Sequence, residues 1–404
     1  MIHTRRQRMS RRAIFLASVL AGASSMTHHS IAPAGTQEAS ADDLKVSTAG
    51  WTTDFTRHSV PLSEIRTGGP PRDGIPPIDN PRYVSLADAD AWLAASEPVI
   101  AVAIERADSS IVARAYPLQL MVWHEIVNDM LGDTHVTVTF CPLCYSAIAY
   151  DRRLEPGDTI YDFGTTGNLR HSDLIMWDRQ TESWWQQFSG DAIVGELTGA
   201  HLTFLPAQII SWSAFKEAYP RGDVLSRETG FNRSYGTNPY PGYDDVNSRP
   251  FLFDGSTDER LPAKELVVAV NIGTQGVAYP VPALHTARLV EDTVDNTPIV
   301  VLWQPGASSA LDTSDLIDGR DIGQVGVFVR ELDGRELTFS LSPDSRVIDA
   351  ETGSSWDITG AATSGTLSGE RLIAVPHTLV FWFAWAAFQP RGRLWNPADE
   401  SNLK

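Results

Sequence analysis

Val136-Thr137-Val138-Thr139-Phe140-Cys141-Pro142-Leu143-Cys144-Tyr145-Ser146-Ala147-Ile148-Ala149-Tyr150 reads as strand, turn, strand. Val136, Val138 and Phe140 alternate with His135, Thr137 and Thr139, the period of a half-buried strand. Pro142 marks the turn, and the run after Tyr145 is apolar enough to be a returning strand. The turn carries the only two cysteines of the 404-residue chain.

Two thiols three residues apart can form a reversible disulfide, hold a soft metal, or simply pack. A disulfide here closes a very small loop and adds little stability, so a purely structural staple explains the pair poorly. Between strands, the motif has the form of a zinc knuckle. In thioredoxin-like proteins the pair instead starts a helix, whose dipole lowers the thiol pKa. The sequence leaves both geometries open.

Outward from the motif, most segments read as short strands. One helix is predicted from Pro117 to Leu131, with Leu120, Trp123, Val127 and Met130/Leu131 at helical spacing and Gly132 as its stop. A second short helix is predicted from about Trp212 to Ala218, ended by Pro220. The fold class that follows is α+β, mostly antiparallel, in two tandem homologous units each with one or two short helices.

The tandem reading rests on ordered blocks that recur. Val99-Ile100-Ala101-Val102 and Ala115-Tyr116-Pro117 return as Val267-Val268-Ala269-Val270 and Ala278-Tyr279-Pro280. Asp178, Thr181 and Trp185 return as Asp349, Thr352 and Trp356, and Pro220-Arg221-Gly222 as Pro390-Arg391-Gly392. The expected organisation is an export signal (1–41), an extended segment (42–96), a first unit (97–222), a connector (223–264) and a second unit (265–404). The second unit is degenerate at the motif: Gln304 and Ala307 stand where the cysteines would be, and Ala287 where His124 would be.

Ser10-Arg11-Arg12 before the apolar run Ala13–Leu20 reads as an export signal of twin-arginine type. Export would place the pair in a periplasmic or extracellular setting where a disulfide persists. Cleavage after Ala41 would lower the formal charge from −18 to −22. So acidic a chain disfavours nucleic acid and anionic membrane surfaces as partners. No later segment has roughly twenty unbroken apolar residues, so no stable membrane insertion is expected once the signal is removed.

A four-ligand metal site needs donors beyond the two cysteines. His124 and His171 are the candidates, giving a Cys₂His₂ or an open Cys₂His site for copper or zinc. Glu125, Asp173, Asp178 and Arg179 are candidates to orient a histidine ring or stabilise a thiolate. Trp177, Trp184, Trp185 and Trp212 read as aromatic core or as the wall of a cleft. No Gly-rich phosphate loop, nucleophile elbow or paired-histidine zinc-protease helix is present, so nucleotide chemistry and serine hydrolysis have no support.

Asp73-Gly74-Ile75-Pro76, Asn80-Pro81, Ala113–Pro117, Trp123–Asp129, Thr139–Cys144, Asp178–Ser183 and Phe381–Phe388 together resemble the bacterial and archaeal family catalogued as domain of unknown function 3179. The resemblance spans about residues 57–392. It implies no established activity. It does imply that some members carry selenocysteine at the position of Cys144, a substitution suited to redox chemistry or soft-metal ligation. Tyr145 departs from the small residue many members have there.

Three readings follow. In the first, Cys141 and Cys144 are catalytic, as a dithiol or within a soft-metal redox centre of an oxidoreductase acting with a small molecule or redox partner. In the second, they bind copper or zinc without catalysis. In the third, the two units form a binding cleft and the pair is incidental.

Overall fold

The computed structural model describes residues 43–398, and the expected export signal lies outside them. Strands β1 (Pro98–Glu105) and β2 (Ile111–Pro117) form a hairpin in register from Val99↔Pro117 to Glu105↔Ile111. Helix α1 (Leu118–His124) follows at once, burying Leu118, Leu120, Met121 and Val122.

The helix predicted over Pro117–Leu131 stops seven residues early. Glu125 turns left-handed at φ 58° and closes α1 with its N–H on the Met121 carbonyl at 2.8 Å. The chain then becomes strand β3 (Ile126–Leu131), paired with β4 (Thr134–Cys141) from Ile126↔Thr139 to Leu131↔Thr134. The β-branched Ile126 and Val127, with a partner strand just downstream, outweigh the helical spacing of Leu120, Trp123 and Val127. Gly132, at φ 62°, makes the turn between β3 and β4 instead of ending a helix.

Strand β5 (Ser146–Asp151) pairs antiparallel with β4 from Cys141↔Ser146 to Val136↔Asp151. The quoted stretch is therefore a hairpin with the cysteines at its turn. It is not half-buried, however. Thr137 and Thr139 are as fully buried as Val136, Val138 and Phe140. Gln187 covers the threonine face, donating from Nε2 to Thr139 Oγ1 at 2.8 Å.

Next come β6 (Phe163–Arg170), β7 (Asp173–Asp178), β8 (Trp184–Gln186) and β9 (Ala192–Val194), neighbours in one antiparallel sheet. Strand β10 (Ala207–Ser211) returns to pair with β1. Helix α2 (Trp212–Ala218) lies where it was predicted, capped by Ser211 Oγ on the Ala214 N–H at 3.2 Å. Strand β11 (Asp223–Leu225) then lies parallel to β2.

Residues 266–394 run through a closely similar order. Leu266–Ile272 and Gln275–Pro280 form a hairpin, a short helix spans Val281–Ala287, and Leu289–Val294 pairs with Thr297–Gln304. His377–Phe381 returns antiparallel to Leu266–Ile272, and Arg393–Leu394 lies parallel to Gln275–Pro280. The molecule is thus α+β, mostly antiparallel sheet with a few short helices.

Several recurring residues make recurring bonds. Asp178 accepts from the Thr181 N–H and the Trp185 indole at 2.6 and 2.9 Å; Asp349 accepts from Thr352 and Trp356 at the same distances. Tyr116 donates to Asp129 at 2.7 Å, and Tyr279 to Asp292 at 2.6 Å. Gly392 lies against an indole: a β-carbon there would meet Trp385 at 2.2 Å.

The halves share one core. The Phe381 N–H donates to the Cys144 carbonyl at 2.9 Å, and the Ala310 N–H to the Tyr145 hydroxyl at 3.0 Å. Tyr145 is fully buried between Phe140 and Phe381. The second half thus clamps the cysteine turn from outside. Among the described residues, no helix is long and apolar enough to cross a membrane.

Candidate functional site

The turn that carries the cysteines is short and fixed. The Cys144 N–H bonds the Cys141 carbonyl, and the Tyr145 N–H the Pro142 carbonyl, both at 3.2 Å. Tyr145 takes φ 60°, which lets β5 begin at once. Of the two geometries the sequence left open, this is the turn between strands. No helix starts at the pair, so no helix dipole lowers either thiol pKa.

Both cysteines are free and buried. They face the hairpin turn between β6 and β7, where His171 and Ser172 have φ values of 54° and 66°. That twisted two-residue turn presents the Ser172 carbonyl to both sulfurs: Cys144 Sγ lies 3.4 Å from it and Cys141 Sγ 3.9 Å.

Asp173, the first residue of β7, completes the cluster. The two sulfurs and one Asp173 carboxylate oxygen all lie within 4.8 Å of one another. Asp173 Oδ2 is held by the Gln186 Nε2 at 2.6 Å and the Phe188 N–H at 3.0 Å. Oδ1 is buried without a hydrogen-bond partner.

Glu125 stands just outside this group. Its carbonyl accepts from the Phe140 N–H at 2.8 Å, which places it beside the end of β4. Its side chain is buried.

The electrostatics are one-sided. Burial pushes the Glu125 carboxyl up to about 8, with Asp173 adding to the effect. Burial pushes Asp173 up to about 7, against the hydrogen bonds from Gln186 and Phe188. Both thiols are pushed up as well, first by burial, with the Asp173 carboxyl adding to each and Glu125 to that of Cys141. A nucleophilic cysteine needs the opposite: a nearby cation or helix N-terminus, and access.

The histidines do not join the cluster, which corrects the Cys₂His₂ and Cys₂His expectations. His124 Nδ1 faces the Pro76 carbonyl at 2.8 Å and Nε2 the Tyr235 hydroxyl at 2.7 Å. Burial lowers its pKa to about 4, so it is a neutral latch: Nδ1–H donates to Pro76, and Nε2 accepts from Tyr235. The left-handed turn carries the His171 ring to Phe253 and Phe388, with Nε2 3.4 Å from Glu64.

Of the four supporting candidates, Asp173 is at the sulfurs and Glu125 is buried just outside the group. Asp178 is the buried acceptor for Thr181 and Trp185 described above, and Arg179 pairs with Asp73 and Asp79 at 3.0 and 2.9 Å. These two tie strands and the leading segment together. Trp184, Trp185 and Trp212 are fully buried core.

Sequence reasoning missed the cover of the site. Connector residue Tyr243 donates to the Leu143 carbonyl at 3.2 Å and accepts from the Phe251 N–H at 3.1 Å. Tyr240 is close enough to Glu125 and Cys141 for their charges to raise its pKa, after burial, which is the larger cause. An aromatic-rich connector gives no periodic signal, so nothing tied these rings to the cysteines in advance. A cleft of about 740 Å³ is lined by Ile148, Phe188, Asn271, His377 and Phe388 among others. The cysteines are not part of its lining.

Residues 72–392 match the family described as protein of unknown function (DUF3179). The chain belongs to this family. Neither a curated protein nor a solved structure matches it.

Proposed function

We propose that Cys141, Cys144 and Asp173 hold a metal ion, and that this family member is a metal-centre protein, exported by its twin-arginine signal. The observations that carry the proposal are a carboxylate oxygen of Asp173 within 4.8 Å of both sulfurs and an Asp173 Oδ1 buried without a hydrogen-bond partner. Two thiols and two carboxyls are buried together, and burial is the largest influence on each of them. A buried acidic group without a partner is costly, and a cation relieves that cost by drawing the protons off.

The donor set supports zinc over copper. Zinc accepts thiolate sulfur and carboxylate oxygen in one tetrahedral site, whereas Cu(I) favours sulfur throughout. In this reading Cys141 and Cys144 bind as thiolates and Asp173 through Oδ1. Gln186 and the Phe188 N–H fix Oδ2, the outer-shell role that orients a ligating carboxylate.

Thiol–disulfide exchange ranks second, favoured by the closeness of two free thiols. It would need the pair to give up two electrons and two protons to an external disulfide. The raised thiol pKa values and the burial weigh against it.

The test is metal analysis of the full chain purified without chelator. One equivalent per chain is expected, lost in Cys141→Ser and in Asp173→Asn, and retained in His124→Gln and His171→Gln. Metal-free wild-type protein whose thiols oxidise reversibly would replace this reading with the dithiol one.

A further inference from the structure

Glu125 is the buried acidic group that three protein ligands leave unused. Position 125 is left-handed, and so is position 288, its counterpart at an offset of 163, with φ values of 58° and 63°. Both close the preceding helix through their N–H, at 2.8 and 2.7 Å, and both accept a strand N–H at 2.8 Å, from Phe140 and Trp303 respectively. Yet residue 288 is an arginine, whose guanidinium lies 4.7 Å over the Trp303 ring. The backbone at this corner therefore does not require glutamate.

The side chain at 125 is 6% exposed and makes no hydrogen bond or ion pair with any described residue. Its charge is felt by Cys141 and by Tyr240, and Asp173 acts on it. It is near the cluster but outside the group whose donor atoms all lie within 4.8 Å. Tetrahedral zinc held by three protein atoms keeps a fourth position for an outside ligand. A buried carboxylate beside the end of the strand that carries Cys141, lacking any described protein partner, is placed to meet whatever occupies it.

We propose that Glu125 accepts a hydrogen bond from a small protic ligand — water, an alcohol or a thiol — in the fourth position of the Cys141–Cys144–Asp173 centre. The centre is then an open, reactive site and not a closed structural one. This rests on the metal reading above. The half-buried Tyr240 and Tyr243 lie beside the cysteine turn. In the same corner of the second half, Arg288 with Gln304 and Ala307 has no such donor set.

The experiment uses the full chain with Co(II) as the probe, whose visible bands report coordination. Wild type is compared with Glu125→Gln and Glu125→Ala for Co(II) stoichiometry, affinity against a chelator, visible spectrum and azide affinity. All three proteins are expected to bind one Co(II), with affinities within about tenfold of each other. At about pH 9, above the value of about 8 to which burial raises the Glu125 carboxyl, both variants should shift the visible bands and bind azide at least about tenfold more tightly, because a buried negative neighbour has been removed. Loss of Co(II) affinity by more than about a hundredfold in Glu125→Gln would make Glu125 a direct ligand and overturn the open site. Unchanged bands together with unchanged azide affinity would overturn it too. Failure of the underlying metal reading looks different: wild type takes up no Co(II), or Cys141→Ser takes up as much as wild type, before any Glu125 variant is compared.

Discussion

Asp173 and Glu125 are two carboxyls whose folded pKa values lie well above the ordinary range, at about 7 and about 8. The sign of the consequence follows from proton linkage. Between the unfolded value near 4 and these folded values, the folded chain binds more protons than the unfolded one, so stability falls as pH rises. Metal-free protein is therefore expected to lose several degrees of melting temperature between about pH 6.5 and pH 8, then level off. The groups facing the pair, Cys141, Cys144 and Tyr240, are neutral in that window because burial raises all three. Saturating zinc should remove the slope, since the carboxylate is then needed in its charged form. Melting curves across pH, with and without zinc, check this; a metal-free profile rising with pH would contradict it. His124 works in the opposite direction below about pH 6.5: its folded value of about 4 lies under the unfolded value near 6.5, so the unfolded chain binds the extra proton there and stability rises with pH.

Among the elements, the β4–β5 hairpin and the β6–β7 turn build the site, and the β7–β8 corner holds it in place. Asp178 there accepts from the half-buried Thr181 and from the Trp185 indole in the interior. Asp178→Ala leaves those donors unpaired and is expected to cost about 2–4 kcal/mol of stability while keeping metal stoichiometry. Urea unfolding together with metal analysis separates the two effects; loss of metal in a folded variant would place Asp178 in the site after all. At the cysteine turn, Tyr145→Phe removes the acceptor for the Ala310 N–H and should cost about 1–3 kcal/mol. The alternation in Val136–Phe140 made strand β4 and its hairpin legible in advance. The left-handed Glu125 was not legible, since nothing in Trp123–Asp129 marks where helical spacing gives way to pairing with β4. Residue type foretold the chemistry better than position did: Glu125 and Asp173 stood out as charges near the pair, and only the hairpin geometry separates them from Asp178 and Arg179.

Across the described residues, the two halves run through a closely similar strand order, and the Cys141–Cys144–Asp173 group lies in the first. Offsets read from the sequence link residues that now make matching bonds, such as Asp178 and Asp349, because a buried carboxylate serving an indole is hard to replace. The histidines were misplaced for the opposite reason. Whether a ring faces the sulfurs depends on the handedness of a turn, and no spacing rule conveys that. The second half still serves the site, through the Phe381 N–H on the Cys144 carbonyl and the burial of Tyr145. The central claim is a metal bound by two sulfurs and an aspartate oxygen, without histidine. X-ray absorption at the metal edge of the purified full chain tests it most directly. Two sulfur scatterers near about 2.3 Å with oxygen near about 2.0–2.2 Å are the expected result. An imidazole scattering pattern, or no bound metal at all, would contradict it.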